Sequence, residues 1–250
     1  MKFPISTVLL IILVATGNVF AQKRTAPVKP KTAATRSAEV GQAAVVIDET
    51  LSILRKTPSL FSEVVHRMQR GRKVQILGVS EADGVKFYKV TAPPSNFGWV
   101  QADAVFGKFR AGDEERLAKL VQAWDGFEQI EIANEFFELY PASKFRPAIL
   151  LLYGDVLEEA AAKLTKSASS QLKRDEMAAS AAPLHSYYLN FIMLDRYRRL
   201  GIIFLFNSAA KQFHYDGASW KEIVTKFPGT NEAVEAQKRL DALKAKMGKK

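Results

Sequence analysis

The chain has no cysteine, which excludes a disulfide framework, a thiolate nucleophile and any cysteine-ligated metal. Histidine is scarce as well: His66, His185 and His214 fall in different predicted elements, without the spacing of a zinc site. No G-x-S-x-G turn offers a strained serine, so serine hydrolysis of that type has no seat. Past the first twenty residues there is no long apolar run, since "GIIFLF" (201–206) is far too short to cross a bilayer. Acidic residues are in deficit, 26 against 36 basic ones, giving a formal net charge of +10. That excess suits either an anionic partner or plain solubility.

What is present begins with an export pattern. Lys2, the apolar core "VLLIILVA" (8–15), and the small residues Val19 and Ala21 read as a signal peptide (1–21) cleaved after Ala21. An uncleaved anchor is the weaker alternative, because the apolar core is short. The expected location is therefore periplasmic or secreted. Residues 22–43 carry two prolines, five basic side chains and one glutamate without apolar periodicity, which reads as a basic disordered linker able to touch a membrane surface. Apolar residues make up 48% of the chain, enough to form cores without covalent staples.

From 44 to 107 short apolar runs alternate with turn signals, the pattern of a small all-β unit. The candidate strands are "AVVID" (44–48), "LSILR" (51–55), "KVQILGV" (73–79), "VKFYKV" (85–90) and "FGWV" (97–100). Gly71, Asp83-Gly84 and Pro93-Pro94 separate them, and Gly84 suits the positive φ of a tight hairpin. Leu51, Leu54, Arg55, Pro58, Ser59, Gly71, Val74, Phe87, Tyr88, Val90, Gly98, Trp99 and Val100 follow the order of a leucine-x-x-leucine-arginine strand, a proline-serine turn, an aromatic-tyrosine-x-valine strand and a closing G-W-V. In this the segment resembles a bacterial SH3-like domain. It departs from that pattern at Thr57, where a glycine is usual, and at Phe87, where a tryptophan is usual. The resemblance implies a small β-barrel used for binding, often to peptidoglycan, and not for catalysis.

After residue 112 the periodicity becomes helical, so the expected fold class is multidomain, β then α. "DEERLAKLVQAW" (113–124) opens with acidic residues suited to a helix start, and "EQIEIANEFFELYP" (128–141) puts Ile132, Phe136 and Leu139 on one face before Pro141. A third helix follows from 144 to 164. Residues 165–182 read as a frayed helix or an insert, and 183–201 as helix again. Phe204, Phe206, Phe213 and Tyr215 alternate as in a β-hairpin within 202–216, although a capped helix turn also fits. Two more helices fill 217–248. "NEFFELYPAS" (134–143) and "KEIVTKFPGT" (221–230) share an aromatic-proline-x-hydroxyl turn, which resembles tetratricopeptide-type helical hairpins at an irregular offset. The expected layout is a barrel over 44–107 followed by a tetratricopeptide-like helical domain over 113–248.

Ligand-binding candidates in the β-unit are Arg55, Tyr88, Phe97 and Trp99. Adjacent Phe87 and Tyr88 must point to opposite faces; if Phe87 is the core ring, Tyr88 is exposed, while Trp99 is either a stacking platform or the core anchor. Phe97 and Trp99 share a face. In the helical part, "DRYRRL" (195–200) offers Arg196, Arg198 and Arg199 as a partner-binding anion patch, the alternative being a solvated face paired with Asp195. Carboxylates such as Asp113, Glu114, Glu115, Glu158 and Glu159 read as helix-end and surface charges. No metal, cofactor or catalytic residue is expected, and nucleic acid is not an expected partner. The expected function is a non-enzymatic exported adaptor that contacts peptidoglycan or a peptide through its barrel and another envelope protein through its helices. The alternative is an accessory or inactive relative of a wall hydrolase with an unrecognised site in the helical part.

Overall fold

The computed structural model describes residues 37–92 and 96–248. The segment expected to be a signal peptide (1–21), most of the expected basic linker and the Pro93-Pro94 loop lie outside the described residues. The described residues form one compact unit.

Seven strands make one antiparallel sheet: β1 (Ala43–Val46), β2 (Ile53–Arg55), β3 (Val64–Arg67), β4 (Lys73–Ala82), β5 (Val85–Ala92), β6 (Asn96–Gln101) and β7 (Val105–Phe106). Their order is β3-β2-β6-β5-β4-β1-β7. Leu54 of β2 and Val105 of β7, near opposite ends of that order, enter the same apolar cluster with Val74, Ile76, Tyr88, Val90 and Val100. The sheet therefore wraps around a core as a barrel does. Asp83 (φ 54°) and Gly84 (φ 73°) are both left-handed, giving the primed turn that matches strand twist between β4 and β5. Sequence patterning does not find β3 or β7. The former exposes Val64 and Val65, so its alternation carries no inward face, and the latter has only two residues.

Eight α-helices follow among the described residues: α1 (Asp113–Ala123), α2 (Gly126–Leu139), α3 (Arg146–Gln171), α4 (Arg174–Ser180), α5 (Leu184–Leu189), α6 (Asp195–Arg198), α7 (Ala218–Lys226) and α8 (Asn231–Gly248). None is long and apolar enough to cross a membrane. The helix expected over 183–201 is broken at Asn190-Phe191, and one 3-10 turn at Ile192–Leu194 leads into α6. The alternating aromatics do form a hairpin, β8 (Phe204–Asn207) with β9 (Gln212–Tyr215). Its rings lock it to α5: Tyr188 stacks on Phe206 at 4.4 Å and meets Phe213 edge-on at 5.7 Å. The central helix α3 buries Ile149, Leu150, Tyr153, Leu157, Ala161 and Leu164.

Barrel and helices share a wall. The continuous apolar run of β1 has no polar face, as expected for a strand covered on both sides. Ala44 and Val46 enter the barrel cluster, whereas Val45 and Ile47 enter the helical cluster with Phe106. A half-buried ion pair fastens the joint: Arg110 Nε donates to Asp113 at 2.7 Å while its Nη atoms donate to the carbonyls of Ala102 and Val105. Asp113 is 1% exposed and also accepts from the Gly107 amide, so it is a buried structural charge and not the solvated helix-end acid expected. Arg70, just after β3, reaches across to Glu131 of α2 at 2.6 Å.

A shared wall predicts shared unfolding. Ile47→Ala should cost about 3 kcal/mol, as large-to-small changes do at fully buried sites. In urea, tryptophan fluorescence and far-UV circular dichroism should shift by the same midpoint; two separated transitions would refute a common core.

Candidate functional site

The sheet has one face toward the barrel core and one away from it, and strand alternation decides which residues stand on each. Leu54, Tyr88, Val90 and Val100 are core residues, so Arg55, Phe87, Lys89, Phe97 and Trp99 stand on the outer face. Backbone pairing then aligns them: Arg55 sits opposite Trp99, Trp99 opposite Lys89, and Phe97 opposite Thr91. Gly98 makes this alignment possible. A Cβ there would lie 2.6 Å from Leu54 Cγ and 2.8 Å from the Arg55 carbonyl oxygen, so only glycine lets β2 close on β6.

Three of the four barrel candidates are thus brought together. Trp99 is half-buried, Phe97 is 61% exposed, and Arg55 lies beside them. Arg55 donates from Nη1 to the Ser62 carbonyl at 2.9 Å, and it makes no ion pair with a described acidic residue. Val64 stands opposite Arg55, and Phe61 in the 56–63 loop is 90% exposed. Sequence reasoning missed both residues; an apolar phenylalanine and valine in a stretch without inward alternation were the available signal.

Tyr88 does not belong to this surface. It is fully buried, although Phe87 beside it is buried too. The two rings do point to opposite faces, but each face is covered there. On the core side, residues 37–42, read as the end of a disordered linker, are folded against the barrel, and Glu39 accepts from Tyr88 Oη at 2.7 Å and Lys86 Nζ at 2.6 Å. On the outer side, Asp83 accepts from the Ser59 hydroxyl at 2.7 Å and the Leu60 amide at 2.8 Å, which draws the 56–63 loop across to the β4–β5 turn. Phe87, on the face turned from the core, is fully buried as well.

Residues 49–105 match the family model of the bacterial SH3 domain. The barrel is a bacterial SH3 domain. No curated protein and no solved structure matches the chain. The match covers less than a quarter of the sequence, and it leaves out β1, which completes the SH3 sheet between β4 and β7. Such domains commonly bind peptidoglycan or peptides. The Arg55–Trp99–Phe97 strip lies on the SH3 domain's outer face and is open to solvent at Phe97.

The helical candidates separate. Arg198 pairs with Asp195 at 3.1 Å and donates to the Leu189 carbonyl, as a solvated, paired surface residue does. Arg199 is exposed. Arg196 instead lies over the rings of Phe127 at 4.6 Å and Tyr197 at 4.9 Å. The three arginines form no single patch. Among the histidines, only His214 is buried, with Nδ1 2.9 Å from a Glu158 oxygen whose carboxylate also takes the Tyr215 amide and Lys246. Glu158 is thus a bridging acid, not the surface charge expected. Among the described residues no group of three or more histidine, aspartate or glutamate side chains is placed to hold a metal ion.

Glu39 supplies a pH signature for the SH3 domain. Burial alone would raise its pKa, but the hydrogen bonds from Lys86, Tyr88 and Ser37 prevail and hold it at about 2 against 4.5 in the free side chain. A depressed carboxylate pKa stabilises the fold above the unfolded value and loses that stabilisation as pH falls from about 4.5 toward 2. Glu39→Gln should therefore be less stable than the natural chain by on the order of 2 kcal/mol at pH 7. Urea midpoints measured from pH 7 to pH 2 should converge only below pH 4.5; a constant gap would show that Glu39 is not the titrating group.

Proposed function

We propose that this protein is a non-enzymatic binding protein of the cell envelope, an adaptor exported by its N-terminal segment. Its SH3 domain contacts cell-wall peptidoglycan or a peptide, and its helical part docks a second envelope protein. The observation that carries the first half is the outer strip of the SH3 domain, where an unpaired arginine stands in register with a half-buried tryptophan and beside an exposed phenylalanine. Rings of this kind give stacking area at low entropic cost, and a guanidinium without a counter-ion suits an acidic or carbonyl-rich ligand. Phe61 and Val64 extend the apolar surface past what a solvated sheet face needs.

Support for a tetratricopeptide-like reading of the helical part comes from its two turns. The hydroxyl residues Ser143 and Thr230 each donate a backbone amide to the aromatic three residues earlier, Tyr140 and Phe227, at 3.1 Å. Each hydroxyl oxygen then accepts from an amide at the start of the next helix, Phe145 just before α3 at 3.0 Å and Ala233 in α8 at 3.2 Å. The hairpins α2–α3 and α7–α8 thus repeat one local solution, and α3 packs against α7. Two such hairpins present a short surface for a partner. Weak contacts at the SH3 strip and at the helices, with the basic segment 22–36 near an anionic surface, reinforce one another through effective concentration.

The test uses the full chain, because β1 belongs to both cores. Sedimentation with purified peptidoglycan should retain it, and Trp99→Ala should weaken retention about tenfold, with Phe97→Ala weaker in effect. Tyr88→Phe should leave retention unchanged while lowering stability by about 1 kcal/mol, since it removes only the bond to Glu39. Retention indifferent to Trp99 and Phe97, or release of soluble wall fragments by the chain, would overturn the reading.

A further inference from the structure

A cavity of about 420 Å³ opens between the start of α2, the middle of α3 and the segment 193–197. Its apolar wall includes Phe127, Val156, Leu164, Met193 and Tyr197. Its charged residues are of two kinds. Asp125, Glu159 and Lys163 are exposed, and Lys163 is paired with Glu159 at 2.7 Å. Arg196 is different: it is partly buried, lies over the Phe127 and Tyr197 rings, and makes no ion pair with any described acidic residue. Its Nη2 donates to Tyr197 Oη at 3.0 Å, and its Nε is buried without a partner.

A guanidinium withdrawn from water, covered by aromatic rings and lacking a counter-ion has lost hydration without full compensation. An anion in the cavity restores it, and a planar carboxylate fits the guanidinium fork better than a spherical ion. The apolar wall requires that this anion carry an apolar body of a size suited to a cavity of this volume. We infer that the cavity is a binding site for a small apolar carboxylate, held by Arg196 at its charged end and by Phe127, Met193 and Tyr197 along its body. The same chemistry occurs at the C-terminal residue of a peptide and in a free aryl or fatty acid. The site is separate from the SH3 strip and does not depend on what that strip binds.

The probes are N-acetylphenylalanine, its neutral amide, and 3-phenylpropanoate, titrated into the full ¹⁵N-labelled chain and followed by NMR. Both carboxylates should bind about tenfold tighter than the amide, the usual weight of a charge-assisted hydrogen bond. They should move the Arg196 Nε–H resonance, and the amide should not. Arg196→Gln should bring the carboxylates down to the affinity of the amide while the chain remains folded by far-UV circular dichroism. Should that variant not fold, the Nε–H shift in the natural chain decides alone. N-acetylphenylalanine binding tighter than 3-phenylpropanoate assigns the site to peptide termini, and equal binding assigns it to free acids. Equal affinity for carboxylate and amide, or an unmoved Arg196 resonance, would refute the inference.

Discussion

The rest of the molecule depends on one strand with two apolar faces. Ala44 and Val46 of β1 close the barrel core, while Val45 and the following Ile47 open the helical core, so that neither core is complete without the other. On the neighbouring strand β7, Val105 enters the barrel core and Phe106 the helical core. The Arg110–Asp113 pair sits at this joint because the chain must leave the sheet and start α1 within a few residues, and the buried backbone carbonyls there need donors. Removing either partner would strip the other of its shortest ion pair, leaving Asp113 with Arg116 at 3.4 Å or Arg110 with Asp103 at 3.9 Å. The SH3 domain is thus not a bead on a string.

The same constraint shapes both candidate sites. With one side of the sheet committed to the barrel core and its β1–β7 end committed to the helices, the outer face at β2, β6 and β5 is where side chains can meet a ligand. Gly98 brings β2 close enough to set Arg55 against Trp99. In the helical part, the break at Asn190-Phe191 turns α6 so that Arg196 lies over Phe127 while Arg198 turns to Asp195. A continuous helix through 183–201 would have placed these arginines by helical spacing alone.

Much of this was legible from residue patterns. The order of strands then helices, the turn at Asp83-Gly84, the stop at Pro141 and the hairpin at 204–215 follow from local chemistry, which acts within a few residues and so leaves its mark in short windows. The shared face of Phe97 and Trp99 follows from the two-residue period of a strand. Other features were not legible. The burial of Tyr88 involves the Glu39 segment, which arrives from 49 residues away, and the 56–63 loop is tied to Asp83 across 24 residues. Period alone says that adjacent rings diverge; it does not say what lies on either side. The buried role of Asp113 was hidden for the same reason, since an aspartate at a helix start looks alike whether or not an arginine and a sheet edge close over it.

The sequence by itself determined the order of a β unit followed by helices after residue 43, the absence of cysteine, the basic charge excess and the set of aromatic and arginine residues from which a binding surface can be made. Those properties depend on composition and on neighbours along the chain. Only the tertiary structure decided which of those residues face solvent: Phe97 and Trp99 but not Tyr88, and Arg196 over a cavity but Arg198 on a paired surface. Exposure depends on what packs against a side chain from distant parts of the chain, and the shared strand β1 brings those parts together.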